Sequence, residues 1–407
     1  MKANNNIFLE SAMAIGMDLV KTSIWHENKC NWLGYWIEHL DGKYQTLTRS
    51  FGSDIYSGTS GIALFLAALY SETGDKLLHK TVIGAVEQIK STMHNVHDHG
   101  FYSGKAGIAF SMVKIGILME RADWINEGVA LIKDLKLTDI QLHETDVISG
   151  IAGTIPVLID FYKEFSNPLF AEMATKLGVV LCGKADKDND QWSWKTVPAH
   201  KNLTGYSHGA AGISNSLLQV YSVTNNPMFR DGALMGFNYE QHQFDHAQQN
   251  WPDYREGATN ITTGKYNCGI AWCHGAPGIA LSRLDANRTM PASAFKTQAQ
   301  TALHTTGVSV AGALNNALTG SNFSLCHGVA GNADVLLESG QEEYVELAEM
   351  IGTAGVEKYE NKKQPWPSGL NTSQQTPGIM MGASGTGYFY LRLYNPNKFK
   401  TILLPKL

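Results

Sequence analysis

Three histidines and two cysteines stand at matched distances from pairs of glycines. Ser207-His208-Gly209, Cys273-His274-Gly275 and Cys326-His327-Gly328 each lead into a Gly-x-x-Gly element, at Gly209/Gly212, Gly275/Gly278 and Gly328/Gly331. Two of the three tripeptides are Cys-His-Gly. If the elements are structural repeats, these thiols and imidazoles converge, and such a set is what Zn²⁺ prefers; a catalytic zinc keeps three protein ligands and one open position. The expected ligands are Cys273, Cys326 and His327. A thiol taken into the open position would lose its proton near neutral pH and become a nucleophile. Cys268, five residues before Cys273, is an alternative ligand outside the register, and the plainer reading makes Cys273 and Cys326 small buried apolar residues. Cys30 and Cys182 read as structural. His208 lies one unit earlier, and Asp146 stands four residues before Gly150 in the unit before that. An imidazole and a carboxylate beside an activated thiol form an acid/base pair, although each alone also serves as a cap or a core hydrogen-bonding group.

The elements that would position these groups repeat along the chain. Gly-x-x-Gly occurs seven times, with first glycines at Gly58, Gly104, Gly150, Gly209, Gly275, Gly328 and Gly382, spaced by 46, 46, 59, 66, 53 and 54 residues. That is room for two helices and two connections per unit. Apolar runs follow the pairs at 62–70, 108–118, 154–162, 213–221, 279–284, 332–337 and 388–394, and read as helices buried on most sides. Stretches with one apolar stripe and one charged face lie between them, for example 77–93, 124–135, 169–181 and 342–359, and read as outer helices. The expected fold is all-α: an α/α toroid of seven helical hairpins, seven helices inside and seven outside, in a single domain over 1–407. An open helical solenoid is the alternative. Paired glycines suit loops that turn sharply into a helix and pack closely. Long polar insertions at 184–203 and 236–267 precede units four and five. The second, with Trp251-Pro252-Asp253-Tyr254-Arg255, reads as a lid or peptide-contacting loop at the mouth, or as a plain surface loop with one anchoring Trp.

Composition bounds the function classes. The 407 residues are 43% hydrophobic and 17% charged, which excludes a disordered or fibrous chain. Lys+Arg 32 against Asp+Glu 37 leave a net charge of −5, so no global field attracts nucleic acid or an anionic membrane. Polar residues interrupt the first twenty positions, and no later run is long enough for a membrane span. Five cysteines are odd in number and sparse, which suits thiol or metal chemistry in a reducing compartment. The expectation is a soluble, cytoplasmic protein.

The segments Trp272-Cys273-His274-Gly275-Ala276-Pro277-Gly278-Ile279, Leu325-Cys326-His327-Gly328-Val329-Ala330-Gly331-Asn332 and Gly205-Tyr206-Ser207-His208-Gly209 resemble the signatures of the lanthionine synthetase C-like cyclases. Trp32-Leu33-Gly34, Asp146-Val147-Ile148-Ser149-Gly150, Trp251 to Arg255 and Thr376-Pro377-Gly378-Ile379-Met380-Met381-Gly382 look like the cyclase half of the bifunctional lanthipeptide synthetases. The resemblance implies a zinc enzyme that adds a peptide cysteine thiol across a dehydroalanine or dehydrobutyrine, closing a thioether ring. It implies Cys273, Cys326 and His327 as metal ligands, His208 as the active-site histidine and Asp146 as the active-site aspartate. His208 would then protonate the α-carbon, with Asp146 orienting it or helping to deprotonate the incoming thiol, and His274 the alternative acid.

One branch of the family carries an arginine shortly before the Trp-Cys motif and a tyrosine directly after the cysteine. Here no arginine stands near Gly269, and His274 takes the tyrosine's place; Arg255 and Arg283 are the candidates for the enolate-stabilising, substrate-binding cation. No dehydratase-sized region precedes Asn4, so the expectation is a cyclase domain alone or a fragment of a longer enzyme. Its expected partners are a dehydrated precursor peptide and, as a further candidate, a separate dehydratase. The rival readings are addition of a small thiol such as glutathione to dehydroamino acids in proteins, a non-catalytic peptide-binding partner of a biosynthetic complex, and a sugar-processing toroid. The last would need two carboxylates across the mouth, and only Asp146 is read in register.

Overall fold

The computed structural model describes residues 2–40, 43–137, 141–260, 262–370 and 375–407. Its helices, in chain order, begin with α1 (Lys2–Thr22), α2 (Thr59–Thr73), α3 (Lys76–Thr92), α4 (Lys105–Leu118), α5 (Ala122–Lys133), α6 (Ile151–Phe165) and α7 (Pro168–Lys184). They continue with α8 (Ala210–Thr224), α9 (Pro227–His242), α10 (Ala276–Thr289), α11 (Ser293–Asn315), α12 (Val329–Glu338), α13 (Glu342–Gly355) and α14 (Ala383–Tyr394).

Even-numbered helices are the inner ones. Each packs on the next even-numbered helix, and α14 packs on α2, so the ring is closed and the fold is an α/α toroid rather than an open solenoid. The inner helices carry apolar or small residues on nearly every side; all of α2 from Thr59 to Leu69 is buried. The outer helices bury one stripe. In α3 the stripe is Leu78, Val82, Ala85, Val86 and Ile89, and Asp75 caps its start by accepting from Leu77 N (2.8 Å) and Leu78 N (3.1 Å).

The seventh hairpin joins the two ends of the chain: α14 pairs with α1. Helix α1 buries Phe8, Ala12, Ile15 and Leu19, three and four residues apart, against this partner. The glycine pairs place each outer helix after its inner helix and so leave α1 without a role; the seventh inner helix takes its outer partner from the start of the chain instead.

The chain is not entirely helical. Antiparallel hairpins β1 (Ile24–His26)/β2 (Lys29–Asn31) and β3 (Leu33–Leu40)/β4 (Lys43–Ser50) precede α2, and β5 (Asp186–Asp188)/β6 (Gln191–Ser193) occupies the first insertion. The start of the second insertion continues α9. Its remainder is irregular and pinned by Trp251, which is buried and donates from Nε1 to Glu240 O at 3.0 Å.

Every inner helix begins directly after the first glycine of a pair. The second glycine lies in the first helical turn, where the loop crosses it. A Cβ there would strike the carbonyl oxygen of the residue six positions earlier: Ile55, Phe101, Val147, Tyr206, Trp272, Leu325 and Ile379 in the seven units. The repeat therefore records a backbone-on-backbone contact that holds each loop down on its own helix.

Backbone hydrogen bonds then link neighbouring loops. Tyr56 N donates to Tyr102 O (2.9 Å), Tyr102 N to Ile148 O (3.0 Å), Val147 N to Ser207 O (3.0 Å), Cys326 N to Met380 O (2.9 Å) and Met380 N to Tyr56 O (3.0 Å). From the far end of the ring, residues 395–407 fold back inside it. Ile402, Leu403 and Leu404 are buried, and Ile402 O and Leu403 O accept from Tyr102 Oη (2.9 Å) and Trp272 Nε1 (3.0 Å). The toroid is thus filled below its mouth loops. Among the described residues no helix is long and apolar enough to cross a membrane.

Candidate metal centre and active site

The loops into α10 and α12 bring Cys273, Cys326 and His327 together, with their ligating atoms all within 4.8 Å of one another. The backbone fixes each of them. Cys273 O accepts from Ser207 Oγ (3.1 Å), and Cys326 N is tied to the seventh loop through Met380 O. His327 Nε2 donates to Gly369 O at 2.8 Å, which places the ring proton on Nε2 and leaves Nδ1 as the electron-pair donor. In the absence of a cation the two thiols cannot both ionise easily. A hydrogen bond from Cys326 holds the Cys273 thiol well below its ordinary range, with His327 helping and burial opposing, and the same bond pushes Cys326 up. Two thiolates, one oriented imidazole and a shared negative charge fit a divalent soft-to-borderline metal such as zinc. Cys268 is not part of the group, and burial pushes its thiol up to about 11.

Above the group lies a cavity of about 630 Å³, also lined by Tyr56, Ser57, Ser103, His208, His274 and Arg255. Asp146 is buried directly behind His208. Its Oδ2 accepts from His208 Nδ1 at 2.5 Å, while its Oδ1 accepts from Ser149 N (2.9 Å) and Gly150 N (2.8 Å). One carboxylate therefore ties down the loop that enters α6 and fixes the imidazole of the next unit, leaving His208 Nε2 for the cavity. The His208 and His274 rings stack 6.0 Å apart at 29°. His274 is buried with no partner on Nδ1, and burial holds it below the ordinary histidine range, with Arg255 adding to this. Arg255 reaches the cavity from the loop after α9, where Asp253 Oδ2 accepts from its Nη2 at 2.6 Å.

Arg283 is elsewhere. It is fully buried on α10, stacked over Phe237 at 4.2 Å, with Nε donating to Gln298 Oε1 (2.6 Å) and Nη2 3.8 Å from Glu240 Oε2. The expectation of a substrate-facing Arg283 is corrected: its position puts the guanidinium on the outward side of an inner helix. The count of carboxylates in register is also corrected. Asp54 stands four residues before Gly58, as Asp146 does before Gly150, lines the cavity, and accepts from Ser57 N (2.8 Å) and Gly58 N (3.2 Å). Sequence reading missed Tyr56 as well, although it stands two residues before Gly58, in the register of Cys273 and Cys326. Its hydroxyl is 3.0 Å from Cys326 Sγ.

A closed toroid of seven hairpins, with a Cys-Cys-His group at the mouth beside a His–Asp pair, defines the class. The chain belongs to the lanthionine synthetase C-like protein family, whose sequence pattern matches residues 49–404. It is 23% identical over 395 residues to the lacticin 481/lactococcin biosynthesis protein LcnDR2 of Lactococcus lactis subsp. lactis, covering 93% of this chain and 40% of that protein. It is 24% identical over 306 residues to the nisin biosynthesis protein NisC of the same organism, covering 69% of this chain and 72% of that one. The chain thus spans two fifths of the length of LcnDR2 and most of the length of NisC. The solved structure of nisin cyclase superposes with a TM-score of 0.62 at 19% identity, covering 88% of this chain and 93% of that one, and shares the fold.

Proposed function

We propose that this chain is a zinc-dependent lanthipeptide cyclase, which adds a cysteine thiol of a dehydrated precursor peptide across a dehydroalanine or dehydrobutyrine of the same peptide. The observation that carries the reading is the open cavity shared by the Cys273/Cys326/His327 group and the Asp146-oriented face of His208. Zinc bound there supplies one thing, a lowered pKa for the incoming thiol, so that a thiolate is available at neutral pH.

The rest falls to the chain's own side chains. The sulfur lone pair forms the new bond to the β-carbon, the π electrons move toward the carbonyl as an enolate, and a proton must reach the α-carbon. His208 delivers it from Nε2, and Asp146 steadies the ring through Nδ1 while that charge changes hands. Arg255, at the mouth, is the cation for the developing enolate oxygen. His274, buried and held neutral, packs on His208 and limits its rotation. The proposed cyclase unit is a single toroid over 1–407, in which α1 supplies the outer helix of the seventh hairpin.

The test uses a dehydrated peptide that keeps its own cysteine, incubated with the purified, zinc-loaded protein with and without added glutathione. Ring closure consumes the alkylatable thiol at constant molecular mass. Persistence of the thiol, or a mass gain equal to glutathione as the main product, refutes the cyclase reading.

A further inference from the structure

The first unit contributes a polar group to the side of the metal group remote from His208. Tyr56 occupies the register that holds Cys273 and Cys326 in units five and six, whereas the seventh unit, between the first and sixth in the ring, has Met380 there, followed by Met381. The tyrosine hydroxyl crosses this apolar gap. It lies 3.0 Å from Cys326 Sγ and 3.4 Å from Met381 Sδ.

The backbone dictates this reach. Ile55 N and Tyr56 N both donate to Tyr102 O (3.1 and 2.9 Å), Met380 N donates to Tyr56 O (3.0 Å), and Cys326 N donates to Met380 O (2.9 Å). The tyrosine and cysteine main chains are therefore tied through one intervening residue. The ring itself is packed edge-on against Tyr102, with centroids 6.4 Å apart at 84°.

We propose that Tyr56 donates a hydrogen bond to the metal-bound Cys326 sulfur and holds it as a spectator thiolate; this rests on the zinc-cyclase reading above. The chemistry creates the need. An electrophilic carbon–carbon double bond is brought beside three sulfurs, two from the protein and one from the substrate, and only the last should react. Attack by Cys326 would form its own S–C bond to the β-carbon, place a proton on the α-carbon and leave the peptide attached to the enzyme. Metal coordination quiets all three sulfurs alike. A hydrogen bond on a sulfur lone pair withdraws electron density from one alone, and a donor to a charged group is a strong one. His327 has the matching arrangement, with Gly369 O holding its remote ring nitrogen.

The test compares the full chain with its Tyr56→Phe and Met381→Leu variants after loading with Co²⁺ or Zn²⁺. In Tyr56→Phe the sulfur-to-cobalt charge-transfer band moves to longer wavelength, because the lone pair rises in energy without its donor. Zinc affinity, measured by chelator competition, falls about tenfold, the lower end for loss of an outer-sphere partner. Iodoacetamide alkylates Cys326 of the zinc-loaded variant about tenfold faster, read by peptide mapping. Met381→Leu leaves the band in place. Incorporation of fluorotyrosine, a stronger donor of nearly the same shape, moves the band to shorter wavelength and needs no variant to fold. An unmoved band in a Tyr56→Phe protein that binds cobalt stoichiometrically, or in the fluorotyrosine protein, overturns the proposal whatever the activity does. Failure of the parent protein to take up cobalt with a thiolate charge-transfer band overturns the metal-site reading itself, and the two failures are thereby distinguished.

Discussion

Asp146→Asn separates the two jobs that one carboxylate does. Oδ1 accepts from Ser149 N (2.9 Å) and Gly150 N (2.8 Å) in the loop before α6, and an asparagine carbonyl oxygen can do the same. Oδ2 accepts from His208 Nδ1 at 2.5 Å, and there the amide presents N–H groups instead. The imidazole must then accept on Nδ1, and the doubly protonated ring needed for proton delivery would set N–H against N–H. What is lost is a hydrogen bond between charged groups, worth about 1.5–3 kcal/mol. At about 1.4 kcal/mol per factor of ten, cyclisation should slow by roughly 10- to 150-fold. Stability should fall less than the rate does, because the contacts to Ser149 N and Gly150 N survive and the neutral imidazole can accept from the amide on Nδ1. Asp146→Ala also leaves the Ser149 and Gly150 amides without their acceptor and should cost about a further 1–3 kcal/mol. The rate is read as loss of alkylatable thiol at constant mass, alongside zinc content and melting temperature. An Asp146→Asn protein that keeps more than half of the parent rate refutes the positioning argument; one that is slow because its zinc is gone assigns Asp146 to the metal site instead.

Three further outcomes follow from the same geometry. Cys273→Ala and Cys326→Ala each remove one of three ligands, and metal analysis after dialysis against a mild chelator should find the stoichiometric zinc of the parent protein lost in both; retention of zinc in both would place the metal elsewhere. Gly331→Ala drives a Cβ into Leu325 O, next to Cys326, so it should destabilise the fold by about 1–3 kcal/mol in thermal or urea unfolding and weaken zinc binding as well, and an unchanged melting point would show that the loop is not held as described. Glu240, buried on α9, is pushed up to about 7 by burial, against the opposing pull of Arg283 and the amides of Gly205 and Ala211. Between about pH 4.3 and 7 the folded form therefore keeps a proton that the unfolded chain has released, and this contribution to stability is lost as pH rises through that window. Glutamine carries no such proton, so the melting-point difference between Glu240→Gln and the parent should move in the variant's favour from about pH 5 to 8; a constant difference excludes the titration.

What was legible in the sequence was whatever the repeat writes down. Each glycine pair marks a loop pressed onto its own helix, so aligning the pairs also aligns the side chains that reach the mouth, and Cys273, Cys326, His327 and His208 could be placed by counting from glycine. The same count reaches Asp54 and Tyr56, four and two residues before Gly58. They were passed over because an aspartate or a tyrosine at one repeat position reads as a cap or a packing residue until its neighbour across the ring is known. Arg283 failed for the converse reason. It lies beyond the loop, on the helix itself, where 3.6 residues per turn rather than the repeat register decides direction, and its charge gave no sign that Glu240, Gln298 and Phe237 would enclose it. Helix α1 carries an outer-helix stripe, but its place in the seventh hairpin depends on ring closure, which is a property of the whole chain.

The ring also explains why the chemistry is asymmetric. Units one to three present Ser57, Ser103 and Ser149 directly before the glycine, with Asp54 and Asp146 accepting from the first and third of these hydroxyls. Units four to six present His208, His274 and His327 at the same place, preceded in two of them by cysteine. A hydroxyl whose proton is held by a carboxylate offers only hard oxygen lone pairs and does not compete for a soft metal. Asp146 stands at the boundary between these halves: it holds Ser149 on one side and His208 on the other. The side chain that orients the proposed acid is thus itself anchored to the serine half of the mouth, so a change at Ser149 should disturb His208 through Asp146 without touching the metal ligands.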